Sequence, residues 1–292
     1  MIKILLVSLS LLYVTVSNAD VKGKVLNDFS GKISSTIGDL IPGDGVTEVS
    51  VKIREEDNPD FEILGVRDII SKENSNLFTQ FSIHNNEVNG DNRYIGNLGL
   101  GYRFLNSDKS MMFGVNSFYD RDIQENHSRV SLGFEAKASI LDFTFNQYQK
   151  TTNQKIIDGT KEQVLSGNEY NLSSQVPYIP WAIFNFQGYR WENEKALQDN
   201  KGNVYSLEMA LNPSLQLDFS RDVSSVDGAE DTNIAKLTFV HPPRENKPTL
   251  KDGLVSNVAF VRENMEDKLR EKVRRNNNIV IEIQGSVIVT SK

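Results

Sequence analysis

The chain reads as all-β: a transmembrane, antiparallel, up-and-down β-barrel of about twelve strands, with a short N-terminal helix and a C-terminal helix or linker assigned to the lumen. Three observations predict this. Segment after segment alternates apolar and polar residues with period two. The connections between segments are alternately very short and longer, as in barrels whose turns lie on one side of a membrane and whose loops lie on the other. The chain begins like an exported protein yet contains no cysteine, so its stability has to come from something other than disulfides, such as a closed sheet.

The start is a basic head, Met1-Ile2-Lys3, then an apolar run over 4–16, then Ser17-Asn18-Ala19 with small residues at −3 and −1. This is the pattern of a secretory signal peptide cleaved after Ala19, and the run is short for a membrane-spanning helix; an uncleaved anchor or a buried helix is the competing reading. Residues 20–45 form an N-terminal segment expected on the periplasmic side. Within it Val21, Val25, Phe29, Ile33 and Ile37 make a narrow helical stripe, ended by Pro42-Gly43-Asp44-Gly45. It either packs against a neighbour or self-associates. Mean hydropathy is −0.40, too polar for a helical membrane protein but compatible with a barrel, which is apolar only at alternate positions. The net charge of −7 argues against a nucleic-acid partner.

Twelve strand candidates fill 46–241: 46–54, 61–67, 76–85, 93–104, 111–120, 128–137, 140–149, 168–176, 181–191, 203–211, 214–223 and 232–241. The fourth is the clearest. Tyr94, Leu98, Leu100, Tyr102 and Phe104 share one face, and Arg93, Asn97 and Arg103 the other. Tyr94 to Tyr102 covers roughly 26 Å of strand, or about 20 Å of height at the tilt of a membrane barrel, near the spacing of two aromatic girdles. Tyr94, Tyr102, Phe104 and Phe134 are therefore the candidate lipid-facing girdle. Arg93, Asn97, Arg103, Asn116, Asp120, Arg129 and Glu135 are the candidate lumen residues, paired with one another in a hydrated interior. The short connections are 106–109, 138–139, 177–180 and 212–213, and the longer ones are 55–60, 86–92, 121–127, 150–167, 192–202 and 224–231. The turn over 69–75 is longer than its set.

The tail, 242–292, carries a second helical pattern. Val258, Val261, Met265, Leu269 and Val273 form a thin apolar stripe crowded by charge, and Glu266 with Arg270 and Glu271 with Arg275 are i,i+4 pairs in the favourable order. Such a helix is too polar for an apolar core. It lies either in solvent outside the barrel or in a polar lumen.

Motifs for chemistry are poor. His84, His127 and His241 are far apart without metal-ligand spacing, and no nucleophile elbow, phosphate loop or dinucleotide fingerprint occurs. Asp120 and Asp122 near His127 could form an acid–histidine dyad, but nothing completes the set. No enzyme activity and no cofactor are expected.

Three stretches in order, NLGLGYRF (97–104), FGVNSFYDRD (113–122) and HSRVSLGFEA (127–136), resemble the inverse autotransporter barrel of the intimin and invasin family. The likeness continues through FNQYQ (145–149), NEYNL (168–172) and VPYIPW (176–181). It returns at VRRNNNIVIEI (273–283), which is similar to the family's linker between barrel and passenger. The resemblance implies a twelve-stranded barrel in the outer membrane of a Gram-negative bacterium, inserted by the barrel assembly machinery with periplasmic chaperones. It implies that the segment after the last strand re-enters the lumen, with Val258–Arg275 in the pore and 274–281 leaving it. Met265, Leu269, Val273, Arg274, Arg275, Asn276, Asn277 and Asn278 would thus form the linker and plug. Family members of this kind are adhesins or invasins with an exported passenger. Only fourteen residues follow Asn278, so adhesion is expected only with a passenger supplied elsewhere; a separately encoded passenger or a host-surface ligand is the candidate partner. The alternatives are a stand-alone diffusion channel, or a surface-interaction protein acting through its loops, 150–167 above all.

Overall fold

The computed structural model describes residues 41–54, 59–226, 228–283 and 286–288, the last three by backbone alone. The expected signal peptide, its cleavage site and the N-terminal helical stripe lie outside the described residues. Twelve strands close into one antiparallel barrel: β1 (Gly45–Arg54), β2 (Asp60–Lys72), β3 (Ser75–Val88), β4 (Asp91–Leu105), β5 (Met111–Asp122), β6 (Ser128–Ala138), β7 (Leu141–Lys150), β10 (Ser166–Val176), β11 (Ile179–Glu192), β12 (Asn200–Asn212), β13 (Leu215–Ser224) and β14 (Thr232–His241). Each pairs with its neighbours in sequence, apart from one insertion, and β1 closes the ring on β14 from Thr47↔His241 to Arg54↔Ile234. Closure leaves no open edge, which is the condition for a sheet to cross lipid. Among the described residues no helix is long and apolar enough to cross a membrane.

The insertion is a hairpin, β8 (Lys155–Ile157) and β9 (Thr160–Val164), turning on Asp158-Gly159 with both φ positive. With β15 (Ile281–Ile283) and β16 (Ser286–Ile288) it builds a small sheet in the order β16-β15-β9-β8 at the loop end of the barrel.

Alternation places the side chains. On β4, Tyr94, Leu98, Leu100, Tyr102 and Phe104 are exposed outward, while Arg93, Asn97 and Arg103 are buried inward. Outer aromatic rings contact one another across strands: Tyr170, Phe186 and Tyr205 form a row on β10, β11 and β12 with centroids 5.8 and 5.4 Å apart. Inside, Phe118 and Phe78 lie over the glycines opposite them, Gly99 and Gly101. A Cβ there would stand 2.4 and 2.3 Å from the rings. The glycines of NLGLGYRF thus let two aromatic rings lie flat on the wall and keep the lumen wide.

Several sequence expectations change. The loop over 86–92 shrinks to Asn89-Gly90, because β3 and β4 extend as a hairpin beyond the apolar band. The turn over 69–75 also shortens, since β2 continues to Lys72 through a bulge at Asp68/Ile70. The larger correction is the tail. No α-helix occupies 258–275; the segment is extended apart from a single 3₁₀ turn at Asp267–Arg270.

Candidate functional site: the threaded lumen

The tail first follows the rim at the turn end, meeting the turns in reverse order. Arg244 N donates to Pro213 O at 2.9 Å, and Ser256 N and Tyr178 N exchange bonds with Tyr178 O and Ala259 O at 2.8 Å each. Glu263 N donates to Ser139 Oγ at 2.8 Å, Lys109 Nζ to Glu266 at 2.7 Å, and Arg270 Nε to Asp68 at 2.7 Å. Met265 and Leu269 then bury against Leu105 and Met112, closing the entrance with the first apolar plug. Lys268, buried, is held by Asp142 and Glu263 at 2.8 Å each.

From Glu271 the linker is extended, so the ten residues to Ile281 span about 33 Å, the full height of a bilayer core. An extended chain has no internal hydrogen bonds, so its backbone needs partners from the wall. Arg103 Nη1 donates to Leu269 O at 3.1 Å and Glu271 O at 2.5 Å. Asn146 serves Arg274 O at 2.9 Å, Arg129 serves Asn276 O at 2.7 Å, and Asn97 serves Asn277 O at 2.9 Å. In the other direction Val273 N donates to Gln80 Oε1, and Asn276 N to Glu169 Oε1, at 2.7 Å each. The wall thus supplies the ladder that a neighbouring strand would supply in a sheet.

Side chains fix the register. Asp120 is the hub: its oxygens accept from Arg275 at 3.0 and 2.6 Å, from Arg129 Nε at 2.8 Å and from Asn97 at 2.7 Å, with all three charged groups inaccessible to solvent. The cations also stack on rings: Arg275 lies 4.2 Å from Phe118, Arg129 4.2 Å from Tyr148, and Arg103 4.3 Å from Phe78. Across the lumen Arg274 forks onto Glu208, Asn277 donates to Glu62 at 2.7 Å, and His84 meets Asn278 Oδ1 at 2.6 Å. Val273 fills an apolar niche with Leu64, Val66, Phe78 and Phe118. Beside the linker a cavity of ≈ 180 Å³ is left, with Glu62, Glu208 and Lys236 in its lining.

Of the seven expected lumen residues, Asn97, Arg103, Asp120 and Arg129 touch the linker directly, and Glu135 acts behind Arg103, whose Nε and Nη2 it receives at 2.8 and 3.0 Å. Asn116 is buried beside Gly133, and its amide meets no partner among the described residues. Arg93 sits higher and binds Glu162 of β9 at 2.7 and 2.6 Å. Tyr94, Tyr102, Phe104 and Phe134 are all exposed on the outer surface. The dyad considered for His127 does not form: His127 Nε2 contacts Glu162 at 3.1 Å, and Asp122 caps the turn through Gln124 N and Glu125 N. Glu62, His84, Tyr148, Glu169 and Glu208 were not anticipated. Glu169 could have been, as the one carboxylate on the polar face of an otherwise amide- and hydroxyl-lined strand.

Glu162 lies above the spanning part of the barrel. Burial alone would raise its pKa, but the Arg93 fork and then His127 draw it down to about 2. Because the folded value lies below the ordinary 4.5, this clamp is fully stabilising above about pH 4.5 and is lost only as pH falls through about 2. Amide exchange of the β8–β9 hairpin should therefore be as slow, relative to the unfolded chain, at about pH 5.5 as at pH 7. Glu162→Gln should remove that protection at both.

A profile of the family "Inverse autotransporter, beta-domain" matches residues 14–277. The chain belongs to that family. Its barrel is an outer-membrane translocator domain of the inverse autotransporter kind. It is 27% identical over 225 residues to the inverse autotransporter adhesin YeeJ of Escherichia coli K12, covering 73% of this chain and 9% of YeeJ. It is 25% identical over 142 residues to invasin of Yersinia enterocolitica, covering 48% of this chain and 16% of invasin. The chain thus spans a small fraction of the relatives it matches. In fold it is similar to a membrane protein solved in a study of in-meso crystallization, with 17% identity and a TM-score of 0.66 over 82% of this chain and 100% of that one. In outer-membrane barrels the short turns face the periplasm and the longer loops the outside.

Proposed function

We propose that the barrel serves as the outer-membrane exit and anchor for polypeptide carried on its linker, and that the linker plugs the pore after passage. The domains follow from this reading: a leader over 1–19, a periplasmic segment over 20–45, the barrel over 46–241, and a linker over 242–292. The observation that carries it is the extended linker itself, running from the periplasmic rim to the outer mouth with its backbone bonded to wall side chains. The same occupancy speaks against an open diffusion channel. Delivery by periplasmic chaperones and the barrel assembly machinery fits the family, and adhesion would follow only from a passenger joined to or recruited by the linker. We read the chain as non-enzymatic, since its buried acids and histidines are engaged in linker and loop contacts.

An epitope joined after Lys292 should be reached by antibody on intact cells, and its confinement to the periplasm would overturn the reading. In planar bilayers, removing residues 265–292 should turn a closed barrel into a steadily conducting one; unchanged low conductance would exclude the plug.

A further inference from the structure

The outer mouth holds a feature that the plug does not need. Glu282 of β15 is buried, and its carboxylate accepts three successive backbone N–H groups from the loop between β11 and β12: Glu194 N at 3.1 Å, Lys195 N at 2.9 Å and Ala196 N at 2.7 Å. Consecutive N–H groups converging on one point form an anion-binding nest. We propose that this loop is a carboxylate-binding site whose ligand is Glu282, and that the capture fixes the register at which the emerging linker stops. The proposal rests on the reading of the linker as a threaded chain and adds the residue that sets its stopping point.

The need for such a stop is visible in the sequence. Ile279-Val280-Ile281-Glu282-Ile283 is a β-branched run interrupted by one acid. Backbone pairing with β9 runs Ile281↔Val164, Glu282↔Gln163 and Ile283↔Glu162, and extends to Leu165 N donating to Val280 O at 3.0 Å. Backbone bonds do not read side chains, and a two-residue slip restores both the pairing and the facing pattern. One face of the run, Ile279, Ile281 and Ile283, packs with Val88, Ile95 and Val164, and would accept such a slip because the three residues are alike.

The other face would not. Val280 sits among Tyr148, Leu165, Tyr189 and Trp191, and Glu282 sits in the nest. Slipping two residues inward would drive the carboxylate into that aromatic niche, where the Tyr148 and Tyr189 hydroxyls already donate to Glu169 and Asp222. Slipping two outward would set Val280 against three unanswered N–H groups. The inward slip buries an unpaired carboxylate and the outward slip takes the anion from the three N–H groups, while the native register gives a charge-assisted bond to each donor. Glu282 is thus a positioning residue, discriminating between registers that the rest of the strand treats as equal.

The absence of cysteine from the chain makes a direct test available. Val164→Cys is paired in turn with Ile279→Cys, Ile281→Cys or Ile283→Cys, and disulfide formation is measured in the outer membrane of whole cells. Barrel folding is checked by heat-modifiable gel mobility. With Glu282 present, only the 164–281 pair should cross-link, by about tenfold over either slipped pair. With Glu282→Val, the slipped pairs should rise to within about threefold of 164–281. Glu282→Gln keeps the side-chain size and one acceptor oxygen, so it reports should Glu282→Val not fold; its slipped pairs should rise to an intermediate level. Cross-linking confined to 164–281 in the folded variants would overturn the stop. No 164–281 cross-link with Glu282 present would overturn the threaded linker itself, which keeps the two failures apart.

Discussion

Asp120→Ala is expected to destabilise the folded state by about 3–5 kcal/mol, the range for breaking a buried ion pair from one side. The reason is the asymmetry of the cluster. One carboxylate answers two guanidinium groups, Arg129 from β6 and Arg275 from the linker, and none of the three is accessible to solvent. Removing it leaves two buried positive charges side by side in the lumen, and the aromatic rings beside them offset only part of the loss. The effect should appear as a lower urea midpoint for unfolding from liposomes and as frequent channel opening, since Arg275 is one of the linker's main holds. A second substitution separates the two consequences. Adding Arg275→Met to Asp120→Ala removes the surplus charge, so stability should recover by about half while the pore stays leaky. A stability change for Asp120→Ala below about 1 kcal/mol would show that lumen water screens the cluster and that it contributes little.

The barrel was legible in the sequence because strand alternation is enforced by two solvents, lipid outside and a polar lumen inside. On β4 Tyr94, Leu98, Leu100, Tyr102 and Phe104 announce the outer side, and Asn97 and Arg103 the inner. The linker's extended conformation was not legible, and the reason lies in charges at helical spacing whose partners lie on the wall. Glu266 and Arg270 are four apart, but Glu266 pairs with Lys109 and Arg270 with Asp68. Glu271 and Arg275 are four apart, but they pair with Lys137 and Asp120. Likewise Met265, Leu269 and Val273 have helical spacing, yet Met265 and Leu269 share a niche with Leu105 and Met112 while Val273 fills another with Leu64, Val66, Phe78 and Phe118. A period analysis assumes that the partners of a segment lie within it. Inside a lumen rich in donors and acids, an extended chain satisfies its backbone from outside, and the helix loses its advantage. Asn89-Gly90 was a missed signal of a different sort, since that dipeptide between alternating segments favours a two-residue hairpin turn.

Arg103 provides the second large expected effect, because it does three things with one guanidinium. Its Nε and Nη2 fork onto Glu135, its Nη1 reaches the carbonyls of Leu269 and Glu271, and its plane lies over Phe78. Arg103→Leu should cost about 3–5 kcal/mol, since Glu135 would be left buried with only Lys137, 3.5 Å away. Arg103→Lys keeps the charge but offers a single point in place of a fork, so it can serve Glu135 or the linker but not both. The acid is the stronger acceptor, so the Glu271 carbonyl should go unanswered while the Leu269 carbonyl keeps only Asn76 Nδ2 at 3.4 Å. Barrel stability should fall by only about 1–3 kcal/mol, while the amides of 269–273 should exchange at least about tenfold faster than in the unaltered protein. That split distinguishes a wall that holds the linker by its backbone from one that merely surrounds it. Equal protection of 269–273 in Arg103→Lys and the unaltered chain would mean that the entrance is held by Met265, Leu269 and the Lys268 ion pairs without the Arg103 bonds. A linker held through its backbone tolerates varied side chains on its way through, and this is the property an exit channel needs if successive segments of a passenger are to cross the same wall.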